Sequence, residues 1–277
     1  MNKKVLTILS MLLVSMTCFA ANPEKDFNYK IADDGESIAI TGFKNNLTLY
    51  DIPAEIEEIP VSSVVLQESL GYVKSGFTDT TEVTIKLPEG LKQFTLLQRQ
   101  GGVKGHIIIE QLPYTLEKCD IRTQQDKKNP NHFYISIKGS INQLNKLTEF
   151  KAEYIDFDEK IVTVRKEWQY KISAYADPKY TFQGSNVEEV IFEDGLEIVD
   201  GFRNCKNLKK ITLPSTVQKI DFYAFSFCSS LSDIVIPDGL TEIKAFDGNQ
   251  IFDGTAIPLK SQVKLRKLGY KGKFGNE

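Results

Sequence analysis

Two stretches near the C-terminus superpose at a fixed interval, and that interval constrains the fold more than any other feature of the chain. Cys205, Leu208, Ile211, Pro214, Val217 and Ile220 recur as Cys228, Leu231, Ile234, Pro237, Leu240 and Ile243, a spacing of 228 − 205 = 23 residues. A fixed period of this length marks a solenoid, in which each repeat is one small unit stacked on the next. With proline as position zero, the template asks for apolar residues at −3, −1, +3 and +6. Pro237, Pro214 and Glu193 satisfy it in full, and so do Asp158, Lys138, Pro88 and Pro53. Pro113 fails only at Glu110. The eight anchors are spaced 35, 25, 25, 20, 35, 21 and 23 residues apart, so the two long gaps should hold extra loops. The most polar run, Gln124 to Asn131, falls instead inside a 25-residue coil, which counts against the register there.

The template has a direct physical meaning. Positions −3 and −1 share one face of a short strand. Proline ends the strand because it has no ladder donor to lose. Positions +3 and +6 turn back to the interior. One coil cannot bury its own apolar face, but a stack can. A β-sandwich also has short strands at similar spacing, yet it has no need of proline at a fixed phase.

The pattern from Cys205 through Pro214 and Ile220 to Ala224, Phe225 and Cys228 resembles the BspA-like leucine-rich repeat of bacterial surface proteins. Ile52 to Val61 resembles the usual first repeat of such chains, and Ile251 to Thr255 with Lys260 to Tyr270 resembles their terminal cap. The resemblance is close over 187–270 and 38–65 and loose over 95–186, where the Ala-Phe part is missing. It implies a β-rich leucine-rich repeat solenoid of about eight short coils, with a binding role in adhesion, since such proteins are linked to host matrix proteins and other cells.

The ends fit a capped stack. Phe27, Tyr29 and Ile31 alternate with polar residues, and Asp33, Asp34 and Gly35 turn the chain into Ser37 to Ile40, which reads as a hairpin over the first coil. Ser261 is expected to cap a short helix from Gln262 to Leu268, stopped by Gly269. The expected division is a signal peptide at 1–20, a cap hairpin at 21–46, a solenoid at 47–245 with degenerate repeats over 95–186, and a C-terminal cap at 246–277.

Export sets the compartment. Lys3 and Lys4 precede an uncharged, mostly apolar run from Val5 to Met16, and Cys18 and Ala20 supply the small residues of a cleavage site. The run is short for a membrane anchor, and no later segment is apolar for long enough to cross a bilayer. Ser15, at the head of the would-be lipidation box, is not a branched aliphatic, which disfavours lipid attachment at Cys18. The chain is therefore expected at the cell surface, secreted or in the periplasm. Three cysteines survive cleavage, Cys119, Cys205 and Cys228, and an odd number argues against a disulfide framework. Cys205 and Cys228 fall on neighbouring coils, where packing as buried thiols is favoured over a bridge.

The rest of the composition excludes function classes. The chain is 41% apolar and 26% charged, with net charge −3, which falls to −5 once Lys3 and Lys4 are removed. That balance argues against a nucleic-acid partner. Two histidines, His106 and His132, leave little for a metal site, and no metal or cofactor is expected. No nucleophile elbow, phosphate loop, zinc-protease or EF-hand motif occurs. Gln100 to Gly105 is glycine-rich without phosphate-loop spacing and reads as a turn. Asp156, Asp158 and Glu159 cluster at one anchor and read as a solvated turn. The basic tail from Lys260 to Lys273 reads as the wet face of a capping helix, with acidic glycans or lipid headgroups as the alternative.

These readings point to a binding module, not an enzyme: a monomer that grips a protein or glycan, host extracellular matrix or another cell surface among the candidates. The alternative is an envelope structural protein with no host-binding role. The expected binding face is the outward row of the strands: Ile109, Gln111, Tyr134, Ser136, Tyr154, Asp156, Glu189, Lys210 and Thr212. In this register Ile109, Tyr134 and Tyr154 stand side by side on successive coils.

Overall fold

Alternation of β-branched and polar residues makes the strands. In Glu82–Lys86, Val83 and Ile85 point inward while Thr84 and Lys86 point out. The computed structural model describes residues 21–67, 80–98, 105–129, 132–168, 179–221, 223–243 and 250–275. The segment 1–20 with Cys18, and the glycine-rich run up to Lys104, lie outside the described residues.

Among the described residues the strands stack into four sheets. The first runs Phe27–Ile31, Ile38–Phe43, Ile59–Gln67, Gln93–Leu97, Lys118–Arg122, Glu149–Glu153 and Tyr180–Thr181, in chain order. Its first pair is antiparallel and the remainder parallel. The second, all parallel, holds Leu49–Asp51, Glu82–Lys86, His106–Ile109, Ile135–Ile137 and Asp156–Phe157. The third holds Ile161–Val164, Glu189–Phe192, Lys210–Thr212 and Asp233–Ile234. The fourth holds Ile198–Val199, Lys219–Ile220 and Glu242–Ile243. Each parallel strand pairs with its counterpart one coil away, as a solenoid requires.

The anchor is a turn with a recurring hydrogen bond. The +3 amide donates to the anchor carbonyl from Leu91 to Pro88, Leu116 to Pro113, Leu196 to Glu193, Val217 to Pro214 and Leu240 to Pro237, at 3.1–3.4 Å. Proline suits this place because only its carbonyl is used.

In the middle of the chain the expected anchors are displaced. Lys138 and Asp158 end strands of the second sheet and make no such turn. The turns lie at Leu144, whose carbonyl accepts from Leu147 at 3.2 Å, and at Arg165, whose carbonyl accepts from Trp168 at 3.0 Å. The first shift comes from a doubled turn, in which Leu144 itself donates to Ile141. The second arises because Asp156–Phe157 is followed, past a bend at Asp158, by another short strand, Ile161–Val164, before the turn is reached. Two short strands in succession put Ile155, Phe157, Ile161 and Val164 at the template's spacing by coincidence. The coil from Pro113 to Leu144 is then 144 − 113 = 31 residues, and the described part of the polar run, Gln124 to Asn129, finds its place in a long coil. Near the first anchor, a small hairpin (Glu55–Ile56 against Ile59 and Pro60) displaces Ile59, and Val64 pairs with Phe94 instead.

The core is a single cluster from Phe27 to Phe274. Its spine is one aromatic per coil: Phe150, Phe182, Phe202, Phe225, Phe252 and Tyr270, with ring centroids 5.2–6.1 Å apart in succession. Trp168 lies 5.9 Å from Phe150 and donates its indole N–H to the Leu147 carbonyl at 2.8 Å.

At the C-terminus the helix is Leu259–Lys267, so it begins earlier than expected. Pro258 stands at its N-cap without a side-chain cap bond. Ser261 is therefore not the cap; it lies within the first turn and donates its hydroxyl to the Ile234 carbonyl at 2.8 Å, fastening the helix to the last coils. Proline's fixed φ starts the helix where a hydroxyl cap was expected. Gly269, at φ 91°, takes the left-handed conformation that ends it. No helix among the described residues is long and apolar enough to cross a membrane.

Candidate functional site

The nine residues expected on one outward row are divided among several places. Ile109 is 0% exposed and stands in the core row between Ile85 and Ile137. Ile85 lies three residues before Pro88, but Ile109 lies four before Pro113. One extra residue inverts the alternation of faces. Gln111 is exposed beyond the strand end, and Ile108 takes its place beside Ser136. Ser136 and Asp156 are neighbours in the second sheet as expected. Tyr134 precedes that strand, and Tyr154 leaves the first sheet at a corner. Glu189 and Lys210 are neighbours in the third sheet with Nζ and Oε1 2.7 Å apart, and Thr212 pairs with Ile191.

On the second sheet a contact across three coils joins His106, Ser136 and Asp156. His106 Nε2 is 2.7 Å from Ser136 Oγ, and Ser136 donates to Asp156 Oδ2 at 3.2 Å. Lys160 Nζ, at 3.0 Å, and the Asn186 amide donate to the other carboxylate oxygen. Nucleophilic triads place histidine between serine and acid, so that imidazole takes the hydroxyl proton. Here serine is in the middle and its proton goes to the carboxylate, so the hydroxyl accepts from His106. Burial lowers the His106 pKa against the pull of Glu82 and Asp156, which keeps the imidazole neutral at neutral pH. Ser136, 2% exposed, thus ties coils together beneath the surface. Strand ends carry Asp51, Lys86, Glu110, Lys138 and Asp158 on successive coils, with Lys86–Glu110 at 3.5 Å and Lys138–Asp158 at 3.0 Å. Exposed pairs of this kind add about 0–1 kcal/mol each and act mainly on register.

Tyr134 is held by a loop. Asp126 accepts from the Lys128 and Asn129 amides at 2.8 and 3.1 Å, from His132 Nδ1 at 3.1 Å and from the Tyr134 hydroxyl at 3.0 Å. The Asn129 amide first, then the Lys128 amide and His132, hold its carboxyl well below the usual carboxylate range. A depressed carboxylate stabilises the fold fully above its unfolded pKa of about 4 and loses that contribution as pH falls toward the folded value. Asp126→Asn is therefore expected to flatten the acid limb of Tm against pH between about pH 4 and 2. An unchanged limb would mean that the loop is not anchored through this carboxylate.

Sequence reasoning missed a corner of the coil in left-handed conformation. Tyr154, Gly184, Asn204, Phe227 and Gly254 all have φ of 58–72°. Each of the first four donates its amide one coil onward, to Gln183, Arg203, Ser226 and Asp253, at 2.7–2.8 Å. Glycine and asparagine suit such a position, whereas Tyr154 and Phe227 are bulky for it. Tyr154 lays its ring over Gly184, where a Cβ would come within 2.3 Å. Tyr223, at φ 55°, and Phe227 are 39% and 44% exposed, and the Arg203 guanidinium lies 4.7 and 5.9 Å from their rings. Recurrent glycine and asparagine before Ser185, Cys205 and Thr255 were the available signal.

The residues after this corner point inward and bond to the coil. Cys205 donates to the Phe182 carbonyl and Cys228 to the Phe202 carbonyl, both at 3.0 Å. Cys119, Cys205 and Cys228 are free and buried. Burial raises all three thiol pKa values, that of Cys205 to about 12. Iodoacetamide at about pH 8 should thus leave all three unlabelled in the native protein and label all three in urea. A denatured mass showing a Cys205–Cys228 bridge would overturn the thiol-to-carbonyl bonds.

Residues 178–263 match the BspA type leucine rich repeat region, in 6 copies. The fold is a β-rich leucine-rich repeat solenoid, and the match places repeats of the BspA type within residues 178–263. The chain is similar to the T. pallidum leucine rich repeat protein, with 18% identity over 93% of this chain and 100% of that one, at a TM-score of 0.45. It is also similar to a leucine rich cell surface protein of Faecalibacterium prausnitzii, with 14% identity, 85% and 86% coverage and a TM-score of 0.27. A leucine-rich repeat protein of Bacteroides ovatus shows 14% identity, 90% and 97% coverage and a TM-score of 0.24. No curated protein matches the chain.

Proposed function

We propose that the chain is an exported binding scaffold, an adhesin-like module at the cell surface that grips a protein or glycan. The observation that carries this reading is the contrast between core and surface in the matched repeats. Phe182, Phe202, Phe225 and Phe252 are fully buried, yet the same coils hold Tyr223, Phe227 and Val235 out to solvent, Val235 at 76% exposure. Exposed aromatics on a rigid frame lose little entropy on binding. The polar contact His106–Ser136–Asp156 has the wrong order for nucleophilic catalysis, which favours binding over turnover. The charged, apolar start of the chain supports export. Protease or biotin labelling of intact cells should reach the protein, and the purified chain should retain a partner from matrix proteins or envelope extracts. Labelling only after the envelope is opened, with nothing retained, would favour a structural role in the envelope.

A further inference from the structure

We infer that the corner formed by Arg203, Tyr223 and Phe227 is a binding site for an acidic sugar of the uronate class. This rests on the scaffold reading and gives it a site and a ligand chemistry. Three observations converge. Two bulky aromatics occupy left-handed backbone positions, Tyr223 at φ 55° and Phe227 at φ 63°; at the corner that Phe227 fills, the other coils carry Tyr154, Gly184, Asn204 and Gly254. Such strain persists where the surrounding structure holds it, and it clusters at functional sites. Both rings are exposed despite the strain, so core packing does not account for them. Between them lies Arg203, whose guanidinium rests against the rings and whose Nε is buried with no acceptor among the described residues. A cation that rests on two rings is ready for an anion, and guanidinium matches a carboxylate in shape and charge.

The surroundings favour a sugar over a peptide. A protein interface buries about 800 Å² on each side around a broad apolar centre. Here the apolar part is two rings. One residue past Arg203, Asn204 borders a cleft of about 60 Å³ that Lys206 also lines. A uronate presents one face of ring C–H bonds to stack on Tyr223 or Phe227. Its carboxylate meets Arg203, and its hydroxyls meet the amide of Asn204.

Titration calorimetry with tetragalacturonate as the probe decides the matter. Binding is expected to the purified protein, and to weaken at least tenfold in Arg203→Gln and in Phe227→Asn. Phe227→Asn should keep Tm within about 2 °C, because asparagine already occupies the equivalent position at Asn204. The fully methyl-esterified tetramer should bind at least tenfold more weakly. The inference is overturned by absence of binding in the millimolar range, by unchanged affinity in Phe227→Asn, or by hexaglutamate binding as tightly as the sugar. A partner captured in the pull-down that binds Phe227→Asn and the parent equally would leave the scaffold standing and remove this site from it.

Discussion

Phe202→Ala is expected to destabilise the protein by about 3–5 kcal/mol, the usual cost of emptying a fully buried phenylalanine site. Phe202 is stacked on Phe182 at 5.2 Å, lies 6.1 Å from Phe225, and meets the edge of Phe192 at 5.7 Å. It therefore joins consecutive coils as well as filling one. The neighbouring coils cannot close the gap, because their spacing is set by parallel strand pairing through Val190 and Ile211. Chemical denaturation of the variant beside the parent measures the loss. A change below about 1 kcal/mol would mean that the aromatic spine is not packed as described.

Ile211→Asp carries a comparable expected loss, several kcal/mol, by a different route. Ile211 is buried in the third sheet between Val190 and Ile234. A carboxylate there either gives up its hydration unpaired or stays protonated at a cost. Lys209 is on the surface, where its ammonium pairs with Glu188 at 2.6 Å. Lys209→Asp removes that exposed pair and should cost about 1 kcal/mol or less. Coincident thermal melts of the two variants would contradict the inward direction of Ile211.

The coils from Glu193 to Ile243 were legible in the sequence because proline or its substitute, the inward pair and the two returning apolar residues all kept phase. Elsewhere apolar identity alone was ambiguous. Ile109 shows the limit: one additional residue before Pro113 turned an expected surface residue into core, and nothing in its own chemistry distinguishes the two. At Asp158 two successive strands imitated one strand and a turn. The ladder of Ser136 with Asp156 was readable because both positions shared the same error. His106, which completes that contact, was not, because its partners are 30 and 50 residues away and meet it only through register. The left-handed corner was legible in principle at Gly184, Asn204 and Gly254. Phe227 and Tyr223 hid it, since bulky residues rarely take that conformation.

The central claim is that the chain is one solenoid whose single core holds its outer side chains on a rigid frame. Trp168 is the only tryptophan, and it is buried where the second sheet gives way to the third, against Phe150 and Phe182. Urea unfolding followed by Trp168 fluorescence and by far-UV circular dichroism on the same samples tests the claim. One core predicts a single transition with coincident midpoints. Separate midpoints, with Trp168 exposed while much of the strand signal remains, would show two independently folding halves and contradict it.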